Sequence, residues 1–242
     1  MPGFLIGFPI ALCLAPLLAL ALWGVSDKRV AMPWLLLFLA LVVLDETGLY
    51  LALHFHLNHA LGLYWNWVGK AFSLAWVVLF LAWGPISFRE AGFRRPRPGT
   101  IGKSAALACA FLLACLVVDK IQAPAGHASI ETLLFQASMP TLAEESVYRG
   151  VLFAILMRAF GEHDLALPWY RSRSVWITAL AFGLIHGVSI GHGVFQFNAL
   201  ACLFPLAFGL VAGGLRKHTD SLWPAIALHG AVDFGAYAVS LV

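Results

Sequence analysis

The stretch that decides the fold is Trp34-Leu-Leu-Leu-Phe-Leu-Ala-Leu-Val-Val-Leu44, which is apolar on every face of a helix. A segment without a polar face is buried in a core or in a membrane. Around it, 61% of the 242 residues are hydrophobic and 11% are charged, whereas about a quarter of a soluble protein is charged. The alternation of polar and apolar residues that marks a membrane β-barrel is absent from this sequence. The sequence therefore predicts an all-α protein, a polytopic bundle of membrane helices.

A membrane helix needs roughly 20 apolar residues. This length divides the chain into about eight predicted transmembrane helices, or spans, at 3–24, 31–52, 60–84, 104–118, 141–160, 175–190, 194–215 and 222–241. We expect a single membrane domain over 1–242, with four spans in 1–118 and four in 119–242. The four cysteines lie in apolar runs without CxxC spacing, so neither a disulfide framework nor a thiolate metal site is indicated.

Lysine and arginine are distributed unevenly between the predicted loops. When Arg158, in the last turn of the fifth span, is counted with the loop it adjoins, the loops after the first, third, fifth and seventh spans carry 12 of the 15. The loops after the other spans carry only Lys120. Because basic loops stay in the cytoplasm, we expect an integral, multi-pass membrane protein with both termini outside. The net charge of +3 then reflects orientation in the lipid bilayer, and nucleic acid is not expected as a partner.

Several ionisable side chains fall at predicted membrane depth, where each costs about 3 kcal/mol. They are Asp45, Glu46, Lys70, Glu144, Glu145, Arg149, His186, His192, His229 and Asp233. Lys70 is expected to form an ion pair with Asp45 and Glu46 between the second and third spans. The other ionisable residues are too numerous for a surface that faces lipid, so they need either partners or a function.

The fifth span opens with Glu144-Glu145-Ser-Val-Tyr148-Arg149-Gly150. Glu145 and Arg149 are spaced i,i+4 and are expected to neutralise each other on one helical face. Glu144 is then left without a dedicated cation, which suits a general base. In the alternative interpretation, both glutamates lie at the headgroups and favour the positive end of the helix dipole. Tyr148 is expected to pack between helices rather than reach a cavity.

Two later spans carry histidines. Phe182 and His186 lie on one face of the sixth span, each followed by a glycine that allows another backbone or a substrate to approach. His229 and Asp233 form another i,i+4 pair in the eighth span. A single intramembrane histidine is more often a hydrogen-bonding partner between helices. Two histidines and several acids on three spans instead indicate chemistry, provided that a cavity dips inward from the outer face and admits water.

Three motifs follow one another along the chain in the order Glu144-Glu145-x-x-x-Arg149, Phe182-x-x-x-His186 and His229-x-x-x-Asp233. They resemble the signature motifs of the CPBP family of intramembrane proteases, named for CAAX-processing and bacteriocin-processing proteins and also called Abi. The eukaryotic branch of that family trims prenylated CAAX proteins. The resemblance covers roughly 141–242 and implies that 119–242 is a catalytic core.

The resemblance implies a glutamic-type endopeptidase in which Glu144 and His186 activate a water molecule. His229, with Asp233, would stabilise the oxyanion of the tetrahedral intermediate. Glu145 and Arg149 then form a structural pair. Phe182 is expected to pack under His186.

Two features depart from the CAAX branch. That branch typically has asparagine where this chain has Asp233, so we expect Asp233 to accept a hydrogen bond from His229 or to be protonated. CAAX substrates are cytosolic, whereas the charge distribution puts this site toward the outer face. We therefore expect a prokaryotic inner-membrane or plasma-membrane enzyme. Its partner would be a membrane-embedded or lipid-associated protein, with cleavage of a C-terminal sorting helix or a leader peptide.

Other chemistries remain open from the sequence. Glu144, His186 and His229 could bind Zn²⁺ and leave one position for water, although the chain has no HExxH motif. We expect that no cofactor is required. Ser189, in the GxSxG match at 187–191, could act as a serine nucleophile with His229. That mechanism needs a strained strand-to-helix turn, whereas glycines that close a helix are the simpler explanation.

A transporter or structural partner is the non-enzymatic alternative, because intramembrane acids and histidines also relay protons or bind ions. Such a protein is expected to have helices broken at corresponding places in two halves. The sequence shows no such pattern. His192, Gln196 and Asn198 stand near the outer ends of the sixth and seventh spans, where they line a route for the substrate or lie at the headgroups.

Overall fold

The structure, a computed structural model, describes the chain except for residues 1–6, 24, 26, 123–127, 164–166, 192–193 and 240–242. Its helices are α1 (Gly7–Ala21), α2 (Lys28–His54), the short α3 (Leu57–Ala60), α4 (Trp67–Trp83), α5 (Ile101–Gln122), α6 (Ile130–Glu145), α7 (Phe153–Phe160), α8 (Arg173–Gly187), α9 (Ala199–Thr219) and α10 (Trp223–Ala238). A π-helix, Ser146–Leu152, joins α6 to α7, and a 3-10 turn, Trp169–Arg171, precedes α8. The prediction of a helical protein is confirmed.

A small β-hairpin departs from the all-α prediction. Strands β1 (Val188–Gly191) and β2 (Val194–Phe197) pair in antiparallel fashion directly after α8. The sequence predicted a glycine-rich loop for 187–191 and a helix from 194. Asn198 explains where α9 instead begins, because its side chain accepts a hydrogen bond from the backbone N–H of Ala201 and caps the helix.

Within the described residues, three helices are long and apolar enough to cross a membrane: Lys28–His54, Ile101–Ile121 and Ala199–Thr219. Two shorter apolar helices, Pro9–Ala21 and Trp67–Trp83, accompany them. The chain is thus helical with apolar candidates for membrane spans. The number eight stays a prediction.

The fifth predicted span begins too late. α6, the π-helix and α7 form one continuous helical run from Ile130 to Phe160, whereas the apolar pattern placed its start at Thr141. Polar residues in the first part of α6 and Pro140 farther along it interrupt the apolar pattern, so hydropathy does not predict the start of this helix. Ser129 nevertheless caps it by accepting a hydrogen bond from the backbone N–H of Thr132. Glu144 therefore lies near the middle of the run. Its interpretation as a residue at the positive end of a helix is wrong.

The π-helix starts immediately after Glu145, and all seven of its residues are buried. A π-turn displaces the backbone hydrogen-bond ladder, and such turns are often found at functional sites. The Arg149 carbonyl in this turn accepts a hydrogen bond from Arg216 Nε of α9, at 3.2 Å. A side chain from a neighbouring helix thus provides this carbonyl with a partner.

Glycines let α9 approach α8 closely. A Cβ atom at Gly187 would lie 2.8 Å from Cys202 Cβ, and one at Gly209 would lie 2.9 Å from Ala179 Cα. Both separations are too short for any residue other than glycine without a shift of the neighbour. Small residues at a helix interface have this role in membrane bundles. The glycine after His186 therefore accommodates the backbone of α9.

The loops gather at two ends of the bundle. At one end, which we call the basic end, loop 85–100 meets residues 219–222 through hydrogen bonds from Arg97 N to Thr219 O and from Leu222 N to Gly92 O, both 2.8 Å. Loop 85–100 comes directly after α4 in the chain, so the basic end is the end of the bundle at which α4 finishes. Residues 61–66 precede the first residue of α4 and therefore lie at the opposite end, where Glu131 of α6 accepts hydrogen bonds from their backbone.

Candidate active site

A cavity of about 510 Å³ lies between α4, α6, α8, α9 and α10. Glu144, His186, His229 and Asp233 all line it. Aromatic side chains form much of its wall: Trp65, Phe135, Phe182, Phe204, Phe208 and Tyr237. The structure thus brings together the four residues that the sequence singled out, from three separate helices.

The cavity extends toward the end of the bundle opposite the basic end. Trp65 and Asn66, which line it, belong to the segment just before α4. Tyr237 also lines it and lies near the last residue of α10, a helix that begins at the basic end. If the basic loops are cytoplasmic, water enters this cavity from the outer face.

Glu144 has a dedicated cation, so the prediction that it lacks one is wrong. Lys70 Nζ of α4 lies 2.6 Å from Glu144 Oε1, and the two side chains are only 12% and 14% exposed. The other oxygen, Oε2, lies 3.9 Å from His229 Nε2. One carboxylate oxygen is therefore bound to Lys70, while the other faces His229.

The expected ion pair between the second and third spans is also wrong. Asp45 accepts hydrogen bonds from Ser73 Oγ at 2.6 Å and from Trp76 Nε1 at 2.8 Å. Glu46 accepts one from Tyr148 Oη at 3.1 Å. Neutral donors therefore contact these two buried acids, and the nitrogen of Lys70 reaches Glu144 instead.

Tyr148 packs between helices, as expected. Its side chain is buried, its hydroxyl donates to Glu46 of α2, and its ring meets Phe182 of α8 edge-on with 5.3 Å between centroids. It is not among the residues that line the cavity. Tyr148, a residue of the π-helix, therefore contacts both α2 and α8 outside the cavity.

Glu145 joins Arg149 to His229. Arg149 Nη1 lies 3.0 Å from Glu145 Oε1, as the i,i+4 spacing predicted. The same oxygen lies 2.8 Å from His229 Nδ1, a contact that the sequence did not reveal. His229 Nε2 lies 3.3 Å from Asp233 Oδ2. The imidazole ring is thus held through Nδ1 by Glu145, and its Nε2 is on the side of Asp233 and Glu144.

Aromatic rings surround the buried Arg149. Its guanidinium lies 4.2 Å from the centroid of the Phe182 ring and 5.5 Å from that of Phe208. A cation over an aromatic face gains electrostatic stabilisation that grows when water is excluded. Phe182 and Phe208 therefore help to fix the cation that holds Glu145.

Phe182 also positions His186. The two rings pack with centroids 4.7 Å apart, as predicted, and His186 Nδ1 lies 2.8 Å from the backbone carbonyl of Phe182. A carbonyl only accepts hydrogen bonds, so Nδ1 carries the proton in this contact. In the neutral ring, Nε2 then has a free lone pair. His186 can accept a proton through that nitrogen at the cavity.

The structure does not favour the two rival chemistries. Within the part of the chain that it describes, no group of three His, Cys, Asp or Glu side chains is placed to hold a metal ion. Ser189 lies on β1, with its Cα paired to that of Gln196, and does not line the cavity. His192 lies outside the described residues.

Acids and histidines around a cavity between apolar helices are typical of a functional site in a membrane protein. Residues 127–235 match the family model described as Type II CAAX prenyl endopeptidase Rce1-like. The match contains all three motifs and confirms the resemblance to the CPBP/CAAX protease family over this region. No curated protein and no solved structure matches the chain significantly.

The matched region extends from just before α6 into α10 and leaves α1 to α5 outside it. The description of that family model names an endopeptidase, so the match favours a protease over a transporter. Lys70 lies outside the matched region, yet it contacts the first glutamate of the first motif. No sequence motif marked this residue.

Proposed function

We propose that this protein is a glutamic-type intramembrane endopeptidase that hydrolyses a peptide bond in a membrane-associated protein. The observation that carries the proposal is the shared cavity, which Glu144 of α6, His186 of α8, and His229 and Asp233 of α10 all line. Peptide hydrolysis needs a base beside a water molecule and a hydrogen-bond donor beside the carbonyl oxygen. These four side chains supply both.

In the proposed reaction, water attacks the carbonyl carbon of the substrate while Glu144 Oε2, assisted by His186 Nε2, takes its proton. The resulting tetrahedral oxyanion accepts a hydrogen bond from His229 Nε2. As the C–N bond breaks, the abstracted proton is transferred to the leaving nitrogen, which releases an amine and a carboxylic acid; the acid then gives its proton to the amine or to water and becomes a carboxylate. The one proton that Glu144 takes from water is thus passed to the nitrogen, and the side chains return to their starting state.

His229 is suited to the donor role by its two acidic neighbours. Glu145 contacts Nδ1 at 2.8 Å and Asp233 lies 3.3 Å from Nε2. With a carboxylate at each nitrogen, the ring can carry both protons and donate from Nε2 to an oxyanion. This arrangement accounts for an aspartate at position 233. Asp233 accepts a hydrogen bond from His229 and so keeps the imidazole, the donor, beside the oxyanion.

We propose that no metal is needed, since the side chains themselves supply the base and the donor. Activity of the purified protein after exhaustive chelation tests this point. Full activity is expected. Loss of activity that added Zn²⁺ restores would instead support the interpretation in which Glu144, His186 and His229 are zinc ligands.

We further propose that the substrate is exported before cleavage, in a prokaryotic inner or plasma membrane. The cavity extends away from the basic end, and basic loops are retained in the cytoplasm. A C-terminal sorting helix or a leader peptide near the outer leaflet fits this geometry. Reporter fusions in loop 85–100 test the orientation: a cytoplasmic reporter is expected, and an external one would reverse the proposed sidedness.

The test of the function is Glu144→Gln, which keeps the size of the side chain and removes the base. Wild type and variant are co-expressed with exported, membrane-anchored candidate proteins, and cleavage is followed by the mass change of the substrate. The variant is expected to lose at least about 100-fold in rate. Ser189→Ala is the matched control and should cleave normally. Cleavage by Glu144→Gln at the wild-type rate would refute the proposal.

A further inference from the structure

Lys70 stands apart from the other residues of the site because it comes from α4, outside the matched region 127–235. It nevertheless lines the same cavity as Glu144, and its ammonium nitrogen lies 2.6 Å from Glu144 Oε1. Both side chains are mostly buried. Burial of a lysine and a glutamate in contact is expensive unless the pair is well placed. A function for the pair is therefore worth testing.

We propose that Lys70 is a positioning residue of the active site: its ammonium binds Glu144 Oε1 and leaves Oε2 directed toward His229 and the cavity. This inference rests on the proposed function, in which Glu144 Oε2 takes the proton from water. It means that the active site is composite. The N-terminal half of the chain contributes a cation to a site whose other parts lie in the matched region.

Lys70 is well suited to this role because the other nearby cation is committed. Arg149 follows Glu144 by five residues, but its guanidinium is bound to Glu145 and packed over Phe182. Among the described residues, Lys70 is the lysine or arginine whose nitrogen contacts Glu144. A carboxylate at this depth, without a cation, would rotate freely or lose its charge. Lys70 limits both.

The position of Lys70 is fixed by hydrogen bonds on both sides of it along α4. One turn before it, Asn66 caps the helix by accepting from Gly69 N and donates to Leu49 O, each at 3.1 Å. One turn after it, Ser73 donates to Asp45 of α2 at 2.6 Å. These contacts bind α4 to α2. The lysine between them is therefore presented from a rigid helix.

A purely structural ion pair would tie α4 to α6 without any effect on catalysis. The two roles are separated by Lys70→Met, which keeps the length of the side chain and removes the charge, and by Lys70→Arg, which keeps the charge. Positioning predicts that kcat of the folded methionine variant falls by about 100-fold with KM little changed; loss of the buried pair also lowers its melting temperature. The arginine variant should recover most of this loss.

Lys103→Met is the matched control, because Lys103 is exposed and does not line the cavity. It should retain the wild-type kcat. Wild-type kcat in Lys70→Met, or an equal loss in the methionine and arginine variants, would overturn the inference. Glu144→Gln is measured in parallel: if it is inactive while Lys70→Met is fully active, this inference fails and the proposed function stands. Full activity of Glu144→Gln would refute the proposed function itself.

Amine rescue keeps the test decisive if the methionine variant does not fold. Lys70→Ala leaves room beside Glu144 for a small ammonium ion that enters through the open cavity. Ethylammonium chloride is expected to raise kcat in a saturable manner, whereas sodium chloride at the same ionic strength is not. Absence of any rise with ethylammonium would overturn the inference, because a cation at this position would then be irrelevant to the reaction.

Discussion

Two charged clusters lie toward different ends of the bundle and differ in how their carboxylates are used. At the basic end, Asp220 Oδ2 binds Arg94 at 2.5 Å and Oδ1 lies 3.3 Å from Arg216, so both oxygens have a cation. In the cavity, Glu144 binds Lys70 through Oε1, and its Oε2 is 3.9 Å from Nε2 of His229. The first cluster closes a junction between loops. The second leaves an oxygen for a substrate or water.

A smaller cavity of about 200 Å³ adjoins the basic end, which sharpens this comparison. The acids that line it are satisfied: Asp220 by its two arginines, and Glu90 by Arg158 on one oxygen and Ser87 on the other. A cavity with charged walls is therefore not by itself a catalytic site. The larger cavity differs because Glu144 Oε2 lies 3.9 Å from His229 Nε2, beyond hydrogen-bond distance, and both residues line the cavity together with His186.

The largest expected effect comes from Arg149→Met, which removes the buried cation that contacts Glu145. Glu145 is fully buried, and within the described part of the chain no hydrogen-bond partner contacts its Oε2. Loss of Arg149 would leave this carboxylate without its cation, at a cost of about 3–5 kcal/mol in the free energy of unfolding. Activity should also disappear, because Glu145 holds His229. Denaturant unfolding in detergent micelles measures the cost.

The control for that variant is the double change Arg149→Met with Glu145→Gln, in which no unpaired charge remains. It should recover part of the lost stability but little activity. A cost below about 1 kcal/mol for Arg149→Met alone, the range of an exposed ion pair, would contradict the structural role of the pair.

The second effect concerns Asp233, whose carboxylate lies beside His229 Nε2. An asparagine amide oxygen at this position would still accept a hydrogen bond from the ring, so Asp233→Asn should keep substantial activity. Asp233→Leu removes the acceptor and should lose about 100-fold in kcat, equivalent to about 2.7 kcal/mol. Single-turnover cleavage of a substrate identified with the wild type measures both rates. Equal losses in the two variants would contradict this role for Asp233.

The third prediction tests the basic end. Asp220 has a left-handed backbone conformation, with φ of 55°, and asparagine tolerates that conformation well. Asp220→Asn therefore removes the charge shared by Arg94 and Arg216 without backbone strain. It should lower the free energy of unfolding by about 1–2 kcal/mol and leave kcat unchanged. A large loss of kcat without loss of stability would show that the basic end takes part in catalysis.

The contacts that could be predicted from the sequence are those within one helix. Glu145 with Arg149, Phe182 with His186, and the His229–Asp233 proximity all follow from i,i+4 spacing, which a helix turns into adjacency. The composition likewise predicted a helical bundle. These features depend on local geometry, which the order of residues specifies.

The contacts that the sequence missed depend on how distant segments pack. Lys70 and Glu144 are 74 residues apart, and His229 and Glu145 are 84 apart, so no spacing rule connects them. The hydropathy pattern put Lys70 at a membrane depth similar to that of Asp45 and Glu46, which led to the wrong ion pair. A hydropathy pattern does not reveal which face of α4 contacts which neighbouring helix. The π-helix at Ser146–Leu152 and the β-hairpin after α8 likewise left no pattern that we recognised.

The smallest expected effect is that of Glu90→Gln at the basic end. Burial by itself raises the pKa of the Glu90 carboxyl, but hydrogen bonds from the Ser87 backbone and from Arg158 outweigh it and hold the pKa below its usual range. Because both side chains of the Glu90–Arg158 pair are partly exposed to solvent, the variant should lower the free energy of unfolding by no more than about 1 kcal/mol at neutral pH.

A carboxyl whose pKa is lower in the folded state stabilises the fold above its unfolded-state pKa, and this contribution disappears as the pH falls through the folded-state value. The unfolding free energies of wild type and variant, measured against pH, should therefore converge in acid, with kcat unaffected. A difference that stays constant down to low pH would mean that Glu90 acts through packing, and the contrast between a charge pair that closes a loop and one that serves the cavity would lose one of its supports.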